Sequence, residues 1–304
     1  NGERKEELLQ AVNLGATGIG LYRTEFLHLR GMAPGEEEQF MEYASAVETL
    51  NGIPLTIRTL DLGADKTSGP IDFSQLPRSA NPALGLRAVR LCLRETDMFK
   101  TQLRAVLRAS ALGPVRCLIP MLTSEREIQM VQALLNEAKE ELNGRGQAYD
   151  PQMPLGGMIE VPAAALAIEE LGRHMDFLSV GTNDLLQYAL AADRLDEQVA
   201  HLYDMQHPGV IRLLHTIFRS AHRLNIPVAV CGETAGDRRY TRLLLALGLT
   251  EFSMNTTHLL EVKQVITETH IPRARAALTH WLNEPNDRSE PSLLQYLDQS
   301  QLTS

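Results

Sequence analysis

The sequence predicts a parallel α/β barrel of the (β/α)8 class, and three observations carry that reading. Short apolar runs alternate with longer stretches of helical spacing along the chain. The runs are apolar almost throughout, as strands buried on both faces of a parallel sheet are. At 304 residues, a closed barrel wrapped by its crossover helices is the usual one-domain solution.

The elements follow in order. A helical pattern at residues 3–14 leads to the strand-like run Ile19 to Tyr22, and another at 36–50 leads to Leu55 to Ile57. A long helical stretch at 81–109, opened by Asn81-Pro82 as a cap and a first-turn proline, precedes Val115 to Ile119. Helices at 124–143 and 162–173 lead to Gly157 to Ile159 and Phe177 to Val180; those at 183–192 and 207–225 lead to Val228 to Val230. A helix at 235–247 precedes Glu251 to Ser253, and patterns at 258–269 and 272–283 close the series. Gly63, Gly113, Gly232 and Gly248 stand where elements should end.

Seven runs are one short of eight, and the chain enters a helix directly after Asn1-Gly2. The reading therefore places the first barrel strand upstream of Asn1 and takes the chain as a piece of a longer protein. The Gly- and Pro-bearing segment 143–155 does not interrupt the rhythm, so residues 1–304 read as one domain. The tail 284–304 is peripheral, with Leu293, Leu294, Tyr296 and Leu297 offering at most a short amphipathic helix.

Apolar residues make up 44% and charged residues 22%, the balance of an ordinary soluble globular protein. A net charge of −9 is a poor footprint for nucleic acid or an anionic membrane, so an anionic ligand must be captured locally. No run approaches the roughly 18 apolar residues of a membrane span, and no secretory signal opens the chain. Three widely spaced cysteines, Cys92, Cys117 and Cys231, argue against a disulfide framework or a structural zinc site. The sequence is of a cytoplasmic kind.

In a parallel barrel the residues just after each strand converge at the C-terminal mouth, where such folds place their active sites. Here those positions hold Arg23-Thr24-Glu25, Arg58-Thr59-Leu60-Asp61, Glu160, Gly181-Thr182-Asn183-Asp184, Cys231-Gly232-Glu233 and Ser253-Met254-Asn255. Arg23, Arg58, Arg87 and Arg194 could serve one cavity, and the planar guanidinium fork suits a small, doubly anionic ligand. Ion pairing with neighbouring acids is the competing reading for all four. Glu160 and Asp184 are spaced for one hard divalent cation, most naturally magnesium, against the simpler possibility that Glu160 neutralises an arginine. Cys231 sits where its sulfur should face the cavity as an acid or nucleophile, although lone cysteines are usually packing residues. Asp61 and Lys66, flanking a glycine-bearing loop, stay open between ligand contact and solvated turn. Thr256-Thr257-His258 reads as a capped helix start, and neither a P-loop nor a dinucleotide fingerprint is present.

Five motifs occur in the order of one family: Gly18-Ile19-Gly20-Leu21-Tyr22-Arg23-Thr24-Glu25-Phe26, Arg58-Thr59-Leu60-Asp61-Leu62-Gly63-Ala64-Asp65-Lys66, Met158-Ile159-Glu160-Val161-Pro162, Gly181-Thr182-Asn183-Asp184-Leu185 and Cys231-Gly232-Glu233-Thr234-Ala235-Gly236-Asp237. From about Leu14 to about Asn255 the chain resembles the C-terminal, phosphoenolpyruvate-binding domain of Enzyme I of the bacterial sugar phosphotransferase system. That domain is a TIM barrel. Pyruvate phosphate dikinase and phosphoenolpyruvate synthase share the barrel, and a dikinase domain or a non-catalytic phosphoenolpyruvate sensor are the alternative readings. Thr182 through Tyr188 and Ala192-Asp193-Arg194 look more like Enzyme I, without separating its nitrogen-system paralogue or multidomain relatives.

The resemblance implies that Arg23, Arg58 and Arg194, helped by Asn183, bind the phosphoryl group. It implies that Glu160 and Asp184 ligate Mg2+, and that Arg87, Asp61 and Lys66 support the site. Cys231 would be the acid that protonates the enolate carbon as pyruvate forms, and acids such as Glu233 would oppose loss of its proton. The phosphoryl acceptor in the family is a histidine on a separate phosphohistidine domain, and no matching segment occurs in these residues. The implied partners are that domain of the same protein, the phosphocarrier protein HPr or a paralogue, and a second copy in a homodimer.

Overall fold

The computed structural model describes residues 1–28, 34–62, 81–283 and 292–302; Gly63 and Lys66 lie outside the described residues. Its fold is of the parallel α/β barrel class, with seven strands in one sheet following sequence order. Contacts divide the chain into two compact units, Asn1–Met158 with His174–Phe177, and Ile159–Arg173 with Leu178–Ser304.

The first unit runs α1 (Lys5–Asn13), β1 (Ile19–Tyr22), α2 (Glu25–His28), α3 (Glu36–Leu50), β2 (Leu55–Arg58), α4 (Ala88–Arg94), α5 (Thr96–Ser110), β3 (Val115–Ile119), α6 (Glu125–Gly144) and β4 (Leu155–Ile159). β1 to β4 pair in parallel, with Ile57 opposite Cys117 and Leu118 opposite Gly156. Leu55, Ile57, Cys117 and Leu118 are fully buried, the outcome expected for strands apolar on both faces. α6 starts at a capping box: Ser124 Oγ accepts from the Glu127 N–H and Glu127 Oε2 accepts from the Ser124 N–H at 3.0 Å. On the outside, Glu36 gathers Arg104 at 2.6 Å and Arg108 and Arg145 at 3.0 Å, joining α3, α5 and α6. Gly2 forms an isolated parallel bridge to Tyr22 beside β1, where the sequence reading has no strand.

The second unit holds α7 (Pro162–Leu166), α8 (Ile168–Leu171), β5 (Phe177–Val180), α9 (Thr182–Leu190), α10 (Pro208–Leu224), β6 (Val228–Val230), α11 (Glu233–Gly236), α12 (Thr241–Leu247), β7 (Glu251–Phe252), α13 (Leu259–Glu268), α14 (Ile271–Asn283) and α15 (Leu293–Leu302). β5, β6 and β7 pair in parallel. α12 ends at Gly248, whose φ of 105° suits glycine best. α15 buries Leu293 and Leu297, and Asp298 pairs with Arg242 of α12 at 2.6 Å.

Three expectations are corrected in detail. The helical stretch 81–109 is a 3-10 turn at Pro82–Leu84 followed by α4 and α5, because Gly85 is extended (ψ −150°) and Glu95 leaves the helical region (ψ 64°). Arg87 therefore sits in extended backbone just before α4 rather than within a helix. β4 begins at Leu155, two residues earlier than the apolar run suggests. A Cβ on Gly156 would lie 2.4 Å from the Phe177 ring and one on Gly157 2.3 Å from Met175 sulfur, so these glycines are strand residues kept bare for close packing. The helical pattern at 235–247 is likewise divided, by Asp237 in extended backbone, into α11 and α12.

Candidate active site

In the first unit, β2 ends in Arg58, and the strand-end residues assemble around its guanidinium. Arg58 Nη2 donates to Glu25 Oε1 at 2.9 Å and Nη1 pairs with Asp61 Oδ2 at 2.8 Å. The other Asp61 oxygen takes Arg87 through Nη2 at 2.8 Å and Nε at 3.2 Å. Glu25 Oε1 also accepts the Asp61 N–H at 2.9 Å, which fixes the chain leaving β2. All four side chains are largely buried, Asp61 the most at 4% exposed. Arg23, just past β1, is half exposed and pairs with Glu3 at 2.6 Å. The first-unit arginines thus come ion-paired, as the competing reading anticipated, while Arg58 and Asp61 form the link between Glu25 and Arg87.

A buried polar chain props this cluster. Gln102 of α5 donates to Thr24 Oγ1 and Tyr43 Oη, both at 3.2 Å, and accepts the Leu60 N–H at 3.0 Å. Thr24 Oγ1 in turn donates to the Arg58 carbonyl at 3.0 Å, and Tyr43 Oη donates to Gln39 at 3.2 Å. Burial pushes the Tyr43 phenol pKa up, so it stays a donor. Each polar group in this chain has its partner, so the link holds the segments after β1 and β2 in place.

In the second unit, Glu160 follows β4 directly and is 2% exposed, while Asp184 lies in the first turn of α9. Their carboxylates approach within 4.8 Å. Two oxygen-only ligands this close suit a hard divalent cation, which also offsets placing like charges together. Asn183, beside Asp184, is held by Glu233: its Oδ1 accepts the Glu233 N–H at 3.0 Å and its Nδ2 donates to Glu233 Oε1 at 3.3 Å. Arg194 Nη1 reaches the same Glu233 oxygen at 3.5 Å. The backbone makes this pairing possible, because a Cβ on Gly232 would lie 1.9 Å from Thr182 Oγ1. Tyr203 Oη donates to the Asn183 carbonyl at 3.0 Å, and burial pushes its phenol pKa up to about 12.

Cys231 follows β6 and is 5% exposed, with its thiol donating to the Val180 carbonyl at 3.6 Å. Cys92 and Cys117 are fully buried packing residues, and burial pushes the Cys117 thiol up to about 12.

Of the residues singled out from the sequence, the structure brings together Arg58, Asp61 and Arg87 in the first unit. In the second it brings together Glu160 with Asp184, and Asn183 with Arg194 through Glu233. Gln102, Tyr43 and Tyr203 carry no motif signal and are missed by sequence reasoning, and Glu233 enters it only as an acid near the thiol.

The fold is that of a parallel α/β barrel, and the paired carboxylates of its second unit are spaced for a hard divalent cation. Residues 1–271 match the family described as the PEP-binding domain of PEP-utilising enzymes, and the chain belongs to that family. It is 50% identical over 301 residues to the phosphoenolpyruvate-protein phosphotransferase of Cupriavidus necator, covering 98% of this chain and 51% of that protein. It is 46% identical over 259 residues to the same-named protein of Geobacillus stearothermophilus, covering 85% of this chain and 44% of the relative. The chain spans about half the length of these relatives. A citrate lyase from Burkholderia xenovorans LB400 shares the fold, with a TM-score of 0.52 at 14% identity over 99% of this chain and 89% of that one. No described helix is long and apolar enough to cross a membrane.

Proposed function

We propose that the chain is the phosphoenolpyruvate-binding half of a cytoplasmic phosphoenolpyruvate-protein phosphotransferase. In this reading it binds phosphoenolpyruvate with Mg2+, presents the phosphoryl group to a histidine on a separate domain of the same protein, and releases pyruvate. The phosphocarrier protein HPr or a paralogue receives the group next, and the working form is a homodimer. The observation that carries the proposal is the family match over residues 1–271. The carboxylate, arginine and thiol chemistry at the strand ends agrees with it.

Arg23, Arg58 and Arg194 bind the phosphoryl oxygens, because a guanidinium presents paired N–H donors to an oxyanion. Arg87 and Asp61 set the direction of Arg58, Lys66 adds a cation, and Asn183 donates from the amide that Glu233 orients. Glu160 and Asp184 hold Mg2+, which when bound supplies positive charge against the phosphate and carboxylate oxygens. The histidine nitrogen of the other domain forms the new N–P bond as the bond from phosphorus to the enol oxygen breaks. The enolate carbon then takes the Cys231 proton, giving pyruvate, and the thiolate regains a proton from solvent. The test is pyruvate release by the full-length protein: Cys231→Ala should lower it at least about 100-fold, the scale of a lost general acid, while phosphoenolpyruvate affinity stays within about twofold. Unchanged turnover in that variant would remove the proton-donor role.

A further inference from the structure

Between α10 and α14 lies an open cleft of about 340 Å3, lined by none of the site residues described above but by Arg212, His215, Thr216 and Arg219 of α10 and by Thr279, Leu282 and Asn283 of α14. The volume is at the lower end of the range for small-molecule sites, about 300–1,000 Å3.

The α10 residues fall at i, i+3, i+4 and i+7, which is one helix face. In a chain of net charge −9, no acid among the described residues lines this face. None of Arg212, His215 and Arg219 forms an ion pair among the described residues. Thr216 and Thr279 donate their hydroxyl protons to the carbonyls of Arg212 at 2.9 Å and Arg275 at 2.8 Å. The donors left for a ligand are therefore two guanidinium groups, the imidazole and the Asn283 amide. A pocket whose spare donors are mostly cationic selects an acceptor-rich anion.

The two arginines are separated by two helical turns, about 10 Å along the axis. A molecule with an oxyanion at each end can engage both guanidinium forks at once. We propose that this pocket is an anion site for a small molecule carrying two linked phosphate groups, with Leu282 forming the apolar wall beside it. His215 supports the assignment. Its neighbours are Arg212 and Arg219 on α10 and the uncharged Thr279, Leu282 and Asn283 on α14. Burial, then the Arg219 charge, hold its pKa below the ordinary value, and a bound dianion would push it back up.

The test is NMR observation of the His215 ring in the intact chain while inorganic pyrophosphate is added at about 0.15 M salt, where diffuse surface attraction is screened. The expected result is saturable movement of the His215 signals, a rise in its pKa of about one unit, and binding at least tenfold weaker for orthophosphate. Arg212→Ala with Arg219→Ala should abolish the response and leave phosphoenolpyruvate affinity unchanged. Both side chains are exposed, so the double variant should fold, and circular dichroism checks that it does. His215 signals that stay still at millimolar pyrophosphate, or that move equally in the double variant, would overturn the proposal. Succinate binding as tightly as pyrophosphate would overturn the diphosphate class. Because the readout sits at His215, occupancy of the phosphoenolpyruvate site does not imitate it.

Discussion

The first-unit site residues meet their counter-charges inside the fold: Arg58 lies between Glu25 and Asp61, and Asp61 also takes Arg87. The second-unit carboxylates, Glu160 and Asp184, lie within 4.8 Å of each other. Removing a charge should therefore act differently in the two. In the first region it strands a partly buried partner, and in the second it removes one of two adjacent like charges, so the loss should be smaller. One region is a preassembled frame whose geometry is fixed before any ligand arrives. The other gains most when a cation enters.

The largest effect should come from breaking the frame. Arg58→Ala leaves Glu25 and Asp61 without their shared cation and should cost about 3 kcal/mol, the low end for a broken buried pair, measured by urea unfolding. Its phosphoenolpyruvate affinity should fall as well.

Acid sharpens the same contrast. His28 closes α2, the helix opened by Glu25, and burial lowers its pKa from 6.5 to about 4. The unfolded chain therefore binds the extra proton between pH 6.5 and 4. Stability is complete above 6.5 and falls as the pH drops toward 4, by up to about 3 kcal/mol at 1.36 kcal/mol per unit. Urea midpoints measured from pH 7 to pH 4 should show this slope, and His28→Gln should flatten it.

In the second unit, Gly232→Ala forces Thr182 away from α11 and should cost about 1–3 kcal/mol as an overpacked site, while weakening ligand binding through the displaced Asn183. Urea unfolding and a ligand titration of that variant check the two effects. Glu160→Gln should have the smallest stability effect, lowering metal-free stability by less than Arg58→Ala does while removing the thermal stabilisation given by Mg2+. A loss comparable to that of Arg58→Ala would show that the two regions are built alike.

The strands were legible because buried parallel strands leave continuous apolar runs that end abruptly, and all seven fall within two residues of their expected starts. The start of β4 is not legible because Gly156 carries no apolar side chain, and its reason for being bare is Phe177, distant in sequence. The divided helices α4 and α5 have a visible cause at Gly85 but none at Glu95, where the surrounding residues favour helix. The grouping of Arg58 with Asp61, and of Glu160 with Asp184, is legible because a parallel barrel gathers the residues that follow its strands. Gln102 leaves no sequence signal because it sits in an amphipathic helix and reaches Thr24 across 78 residues of chain. Tyr203 similarly acts on Asn183 through a backbone carbonyl, which no pattern of residue types announces.

The central claim is that this chain forms a phosphoenolpyruvate site completed by a divalent cation. Calorimetric titration of phosphoenolpyruvate into the folded chain, with and without Mg2+, tests it most directly. The account predicts saturable binding with Mg2+ that weakens at least about tenfold without it, and Glu160→Gln should give the weak curve in both conditions. Equal binding with and without the metal, or none by a folded chain, would contradict it.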